Sequence, residues 1–353
     1  ITWSESVSNC SNLELAVIDI AGKVSGNGTK TTAVGLEKKT AIAGVIGLRA
    51  GKKSQLGSSA DVVTENCSNK GNVTFSWIYC GASIIFNSGC IGIFDSDRAE
   101  ACNNDGTVVI KAKVDSDIID EANTNTLTLY LGGLFGCIHS TCHQIFECVN
   151  NGSVYVSDTI CRMLYVSGLL GTAMNQVSIT LTDCANAGNL VVDESVDVRS
   201  VYLGGILAST NNITVKYPGC YNSGNVESKA VAHSETFLGA IFGYSINANT
   251  NEAASGIYNR GTVTYSGTSA IAYVGGYCGQ YRESKHTVEF VNTPTGVVEY
   301  KGTASLCSYV GGIVGIGGYL TITRDTNGTA TAITKTNGFD GGKFEGMSNQ
   351  GNV

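Results

Sequence analysis

Two of the chain's four histidines sit with two cysteines in one short run, Cys137, His139, Cys142 and His143 within GCIHSTCHQ. Thiolates and imidazoles are the usual ligands of zinc, but zinc sites normally set one close pair against a second pair across a longer loop. The second pair is missing, so the run is a weak metal candidate and no cofactor is expected. Carboxylates cluster as Asp95 and Asp97 in FDSDRAE and as Asp115, Asp117, Asp120 and Glu121 in VDSDIIDE. Hydrolysis of a sugar chain needs two carboxylates at a fixed separation across a cleft. Asp115 and Asp117 find only a loose echo in Asp193 and Asp197, which suits a solvated loop better. No Gly-rich segment leads into Lys-Ser or Lys-Thr, and no Gly-x-Ser-x-Gly elbow occurs. Phosphate-loop and nucleophile-elbow chemistry are therefore not expected.

Composition narrows the classes further. Lys plus Arg number 22 against 29 Asp plus Glu, a net charge of −7 that leaves no basic footprint for nucleic acid. Only 14% of the residues are charged and 42% are apolar, which speaks against a disordered chain. No apolar run reaches the length of a membrane-spanning helix. The chain opens at Ile1 without an initiator Met, so no signal peptide can be read from it.

The elements that hold these residues come from a repeat. One motif, Cys-x-Asn-x-Gly-x-Val, recurs as ENCSNKGNVT, EACNNDGTVV, FECVNNGSVY, TDCANAGNLV and PGCYNSGNVE, then with Ile257 for Cys in GIYNRGTVTY. A second alternates with it as YLGGLFG, YVSGLLG, YLGGILA, FLGAIFG, YVGGYCG and YVGGIVG, with FNSGCIG and AIAGVIG as weaker early copies. The first Gly position of this motif advances through Gly132, Ser167, Gly204, Gly239, Gly275 and Gly311, a period of about 36 residues.

The segments between are Val/Ile/Thr/Tyr-rich, as in NQVSITLTDC and YLTITR, and lack a helical period. With 45 Gly and only 2 Pro, the composition suits paired strands joined by tight turns. Thirty-six residues at about 3.3 Å each give roughly 120 Å of chain, enough for three strands and three corners. These features predict one all-β, single-stranded parallel β-solenoid over residues 1–353, of about eight coils with roughly three strands each. Residues 65–315 would form the regular coils, 1–64 an irregular first coil and 316–353 a divergent last one. The rival is a propeller, which needs four antiparallel strands per repeat where only three apolar runs are visible.

In a solenoid each column of the repeat becomes a row. Asn69, Asn104, Asn150, Asn186, Asn222 and Asn259 form the corner column. Asn tolerates the left-handed bend and its amide can bond along the stack, while the Gly two residues later supplies a second bend. Cys67, Cys102, Cys148, Cys184 and Cys220 form a second column. Its continuation as Ile257 points it into the core, as reduced thiols, with vertical disulfides the alternative. The aromatic column is Tyr130, Tyr165, Tyr202, Phe237, Tyr273 and Tyr309. Its neighbours Leu131, Val166, Leu203, Leu238, Val274 and Val310 are also apolar, so both faces of this strand read as apolar. Internal packing, a covering segment or partner, or a platform for sugars would each explain that.

At these motifs the chain resembles proteins carrying the GLUG motif, whose Gly-Gly-aliphatic core recurs beside an Asn-x-Gly turn. YLGGLFG, YVGGIVG and AIAGVIG carry the likeness across most of residues 41–315. The resemblance implies a surface-anchored or secreted scaffold, adhesin-like in kind, and carries over no catalytic residue. The expected function is thus a non-enzymatic extracellular structural protein, a filament subunit or adhesin-type stalk. The alternatives are a carbohydrate-active β-helix enzyme or a glycan-binding module. Partners would be further copies, end to end or side by side, or surface glycans, with no nucleic acid and no membrane span. Of seven glycosylation sequons, Asn66, Asn72, Asn212 and Asn327 are the candidates, and Asn151, inside the corner motif, is a poorer one. Thr180/Thr182 and Thr321/Thr323 keep no common register, which counts against an ice-binding face.

Overall fold

The computed structural model describes residues 2–3, 6–13, 17–25, 40–51, 61–80, 84–114, 127–139, 143–174, 178–211, 213–246, 249–282, 285–326, 328–337, 343–345 and 347–353. Every regular element among them is a β-strand, and all pairings but one are parallel. The chain is a parallel β-solenoid of about six regular turns, with less regular coils at both ends. One turn shows the path: Ile91–Ser96, Arg98–Glu100, Asn103–Asn104, Val108–Val114 and Thr128–Gly132. Each segment pairs in register with its counterpart one turn on: Ile91 with Phe135, Asn104 with Asn150, Val108 with Val154, Tyr130 with Tyr165.

The strands collect into parallel sheets of 9, 15 and 16 strands. A coil thus visits three sheets, but it breaks into more than three segments because the Asn corner keeps a two-residue strand of its own. Between the sheets lie two apolar interiors. One joins the Cys column to Ile91, Phe135, Leu170, Leu207 and Phe242 of the nine-stranded sheet. The other joins the Leu131 column to Val108, Val154, Leu190, Val226 and Val263. Stacking like on like buries each of these side chains almost completely, Val310 of the last coil excepted, at about 1.5–3 kcal/mol apiece before entropy is counted.

Two details of the corner differ from expectation. The left-handed bend is not at the ladder Asn but just before the column Cys, at Asn66, Ala101, Glu147 and Asp183, with φ between 50° and 53°. Gly219 and Gly256 take the same place in the next two coils. The ladder Asn is spared that bend because it lies in a paired two-residue strand. The Gly two residues later is required by close approach rather than by a bend. A Cβ on Gly106 would stand 1.9 Å from the carbonyl oxygen of Gly71 in the coil below.

The end coils are longer than the rest. Asn12 to Asn69 and Asn292 to Asn349 each span 57 residues, against 33 to 46 between other neighbouring ladder members. In the last coil the additional chain includes an antiparallel hairpin, Tyr319–Arg324 with Ala330–Asn337. The turn closes through Gly328 N–H donating to the Asp325 carbonyl, with Gly328 at φ 81°.

Candidate functional site

The corner column is a continuous amide chain. From Asn12 through Asn69, Asn104, Asn150, Asn186, Asn222, Asn259 and Asn292 to Asn349, each Nδ2 donates to the Oδ1 of the next at 2.6–2.9 Å. From Asn104 onward, Nδ2 also donates to the carbonyl of the Gly that follows, as in Asn150 to Gly152 at 2.9 Å. Both amide hydrogens and the side-chain oxygen are used, so an amide can stay fully buried here. The second Gly of the other motif touches the same amides: a Cβ on Gly133 would lie 2.4 Å from Asn150 Oδ1. The two motifs that alternate in the sequence therefore meet inside the coil. Asn12, Asn292 and Asn349 extend the row beyond the six positions read from sequence. Asn12 lacks the following Gly, Asn292 has it four residues on, and Asn349 has Met347 where the column places Cys.

The cysteine column lies inside as expected. Cys67, Cys102, Cys148, Cys184 and Cys220 are buried free thiols, followed in the same interior by Ile257. Burial pushes the Cys90, Cys148 and Cys220 thiols well above their ordinary range. Cys184 donates to the Ile145 carbonyl and Cys220 to that of Leu181, each in the preceding turn.

The aromatic column lies on the opposite face of its strand from Leu131, Val166, Leu203, Leu238 and Val274, which face in; Tyr130, Tyr165, Tyr202 and Tyr309 are half-buried, and Phe237 and Tyr273 are buried. Phe86, Tyr130, Tyr165, Tyr202, Phe237, Tyr273 and Tyr309 stack ring on ring at 4.4–5.7 Å, with planes 2–19° apart. Ring faces are taken up by neighbouring rings, so the row offers edges and hydroxyls rather than a flat platform for sugars. Across a concave bend, a second row on the nine-stranded sheet closes on it. Tyr244 meets Phe237 at 5.0 Å and Tyr202 at 5.9 Å. Ile322, Ile333 and Ala330 of the hairpin pack over this half of the row. The covering segment is thus part of the same chain.

No protein-family model, curated protein or solved structure matches the chain.

The remaining candidates fall apart in space. Cys137 is buried with Phe86 and Ile93, and His139, two residues on along the same strand, lies 3.6 Å from Asp95. His143 begins the strand His143–Phe146 in the next sheet, and Cys142 lies outside the described residues. Among the described residues no three His, Cys, Asp or Glu side chains gather as metal ligands. Asp97 accepts a hydrogen bond from the Val62 N–H, so it serves a turn. Asp115, Asp117, Asp120 and Glu121 lie outside the described residues, as do Asn212 and Asn327. Asn66 and Asn72 are exposed, and Asn72 Oδ1 accepts from the Thr107 N–H.

What the motifs do not announce is a hollow of about 260 Å³ in the bend beneath the hairpin. Tyr202 and Tyr273 of the aromatic row line it, with Glu235, Gln280, Arg282 and Arg324. Arg324, on the hairpin, donates to Glu235 at 2.5 Å, and Gln280 donates to the Gly318 carbonyl at 3.0 Å. The Tyr273 hydroxyl is buried and has no hydrogen-bond partner. Burial raises the Tyr273 phenol far above its usual range, with the Glu235 carboxylate adding to the effect. These residues come from positions that change from coil to coil, which is why a search for repeats passes over them.

Proposed function

We propose that this chain is a non-enzymatic extracellular structural protein, a filament subunit or adhesin-type stalk of about eight stacked coils. The observation that supports the reading is the Asn row, in which each amide from Asn12 to Asn292 donates in the same direction to the next, as far as Asn349. A spine of one repeated, self-satisfied residue is what a stack of coils under mechanical load needs, and it uses no group that a reaction would require. Likeness to GLUG-motif repeats favours a surface or secreted setting, in which exposed Asn66 and Asn72 would carry glycan.

Electron microscopy of the native protein tests this. Long uniform fibres with an axial repeat of about 40 Å, one chain of coils stacked at about 4.8 Å, are the expected result. Short separate rods at every concentration would overturn the filament form.

A further inference from the structure

The hollow under the hairpin concentrates a residue type that the chain otherwise spares. There are seven arginines in 353 residues. Arg282 and Arg324 line the hollow, and Arg162 and Arg199 lie close enough to act electrostatically on the same cluster. Arg199 is half-buried, its guanidinium against Gly328 of the hairpin turn. Among the described residues neither Arg162 nor Arg199 has an ion-pair partner. The single carboxylate in the lining, Glu235, is engaged by Arg324. Arg162 and Arg324 act on Arg199 as like charges, more strongly than Glu235 offsets them, and an added oxyanion relieves that repulsion. A second, independent observation is the Tyr273 hydroxyl, fully buried with no partner and lining the same hollow. A buried hydroxyl without a partner is costly, and a ligand atom that bonded it would remove that cost.

We propose that this hollow binds an acidic sugar, a pyranose bearing a carboxylate or sulfate group. Size and polarity both select that class. The volume of about 260 Å³ suits one six-membered ring with its substituents. Gln280, Glu235 and the tyrosine hydroxyls together offer donors and acceptors, which is what sugar hydroxyls require. Arg282 and Arg324 take the oxyanion, for which the planar guanidinium fork is suited. Tyr202 and Phe237, stacked on each other, complete the lining. Glu235 and Arg324 join the solenoid to its hairpin, so occupancy would also fasten the hairpin to the stack.

The test is calorimetric titration of the full, dispersed chain with glucuronate, glucose 6-sulfate, neutral glucose and inorganic sulfate. Either acidic sugar should bind, at least ten-fold tighter than glucose or inorganic sulfate, and the stronger of the two identifies the oxyanion. Arg282→Gln should weaken that binding at least ten-fold and Tyr273→Phe several-fold. Arg260→Gln, whose guanidinium lies over the Tyr258 ring, should leave it unchanged. Should Arg282→Gln not fold, Arg282→Lys replaces it with the same expected direction. The proposal is overturned if neither acidic sugar binds, if glucose or sulfate alone binds as well, or if binding survives both pocket variants. Because binding is read on dispersed chains, its failure leaves the scaffold reading standing, and loss of fibres leaves the pocket standing.

Discussion

The Asn corner and the aromatic groove are both rows running the length of the same stack, yet they are built on opposite terms. At the corner every polar atom is spent inside the row, so each coil must supply the same residue, and it does from Asn12 to Asn349. In the groove the rings need only be flat. Phe86 and Phe237 alternate with Tyr, and hydroxyls such as that of Tyr273 are left without partners. A self-satisfied row specifies the coil, and a row with unused polar groups leaves room for a ligand. That contrast separates framework from site in a molecule where every segment looks alike.

The largest effect should come from breaking the corner. Asn150→Leu removes the acceptor of Asn104, the donor to Asn186 and the donor to Gly152. Three buried polar groups lose their partners, at about 1–3 kcal/mol each, so a loss near 4 kcal/mol is expected in denaturant unfolding. A loss below about 1 kcal/mol would mean the row is not the framework claimed here. In the groove, Tyr165→Ala leaves a gap between Tyr130 and Tyr202, and because the ring is half-buried about 2 kcal/mol is expected. Tyr165→Phe should sit within about 0.5 kcal/mol of the parent, because the column already accepts Phe. Were Tyr165→Phe as damaging as Asn150→Leu, the two rows would not differ in kind.

A smaller effect is expected where the Gly-Gly motif departs from its own rule. Ser167 stands where most coils place Gly, and its buried hydroxyl has no partner. Ser88 is in the same position with the same defect. Ser167→Gly removes the orphan, worth about 1–3 kcal/mol, against about 0.5–1 kcal/mol of added chain entropy. Net stabilisation near 1 kcal/mol should appear as a raised midpoint of thermal unfolding, and a lowered midpoint would show that Ser167 contributes packing the column needs.

How far each row was legible in sequence follows from the same contrast. Asn69 to Asn259 could be read because one residue type returns at each turn. The left-handed position before the Cys could not, since Asn66, Ala101, Glu147, Asp183 and Gly219 share a conformation but no side chain. The row opposite the aromatic column runs Ile93, Cys137 and Thr172, then Ser209, Tyr244, Gln280 and Ile316, and carries no recurring signal. Gln280, Arg282 and Glu235 were therefore invisible as a group. YLTITR reads correctly as a strand, but its hairpin partner and its place over the groove depend on packing at Ile322 and Ile333. Cys137 and His139 show the same limit: neighbours in sequence on a strand end sit in different surroundings, one against Phe86 and Ile93, the other beside Asp95.

The smallest effect concerns pH, and it separates the rows without altering either. The Asn row has no titrating group, so its contribution should be flat with pH. The outer surface has a bond between turns that titrates: Tyr155 donates its hydroxyl to Asp193 at 2.7 Å. That hydrogen bond, with the Ser195 N–H, holds the Asp193 carboxyl below its usual range, and the same bond pushes the Tyr155 phenol up to about 12. A carboxyl depressed in the folded state stabilises above its unfolded value near 4, and the contribution fades as pH falls through the lower folded one. A phenol raised in the folded state stabilises below about 10 and loses that support as pH rises towards 12. Asp193→Asn should therefore flatten the stability profile as pH falls below about 4 and again above about pH 10, leaving mid-range stability little changed because the pair is partly open to solvent. Asn150→Leu should instead lower the whole profile evenly. Two parallel profiles from the two variants would mean that the corner and the surface are coupled, and the division drawn between them would fail.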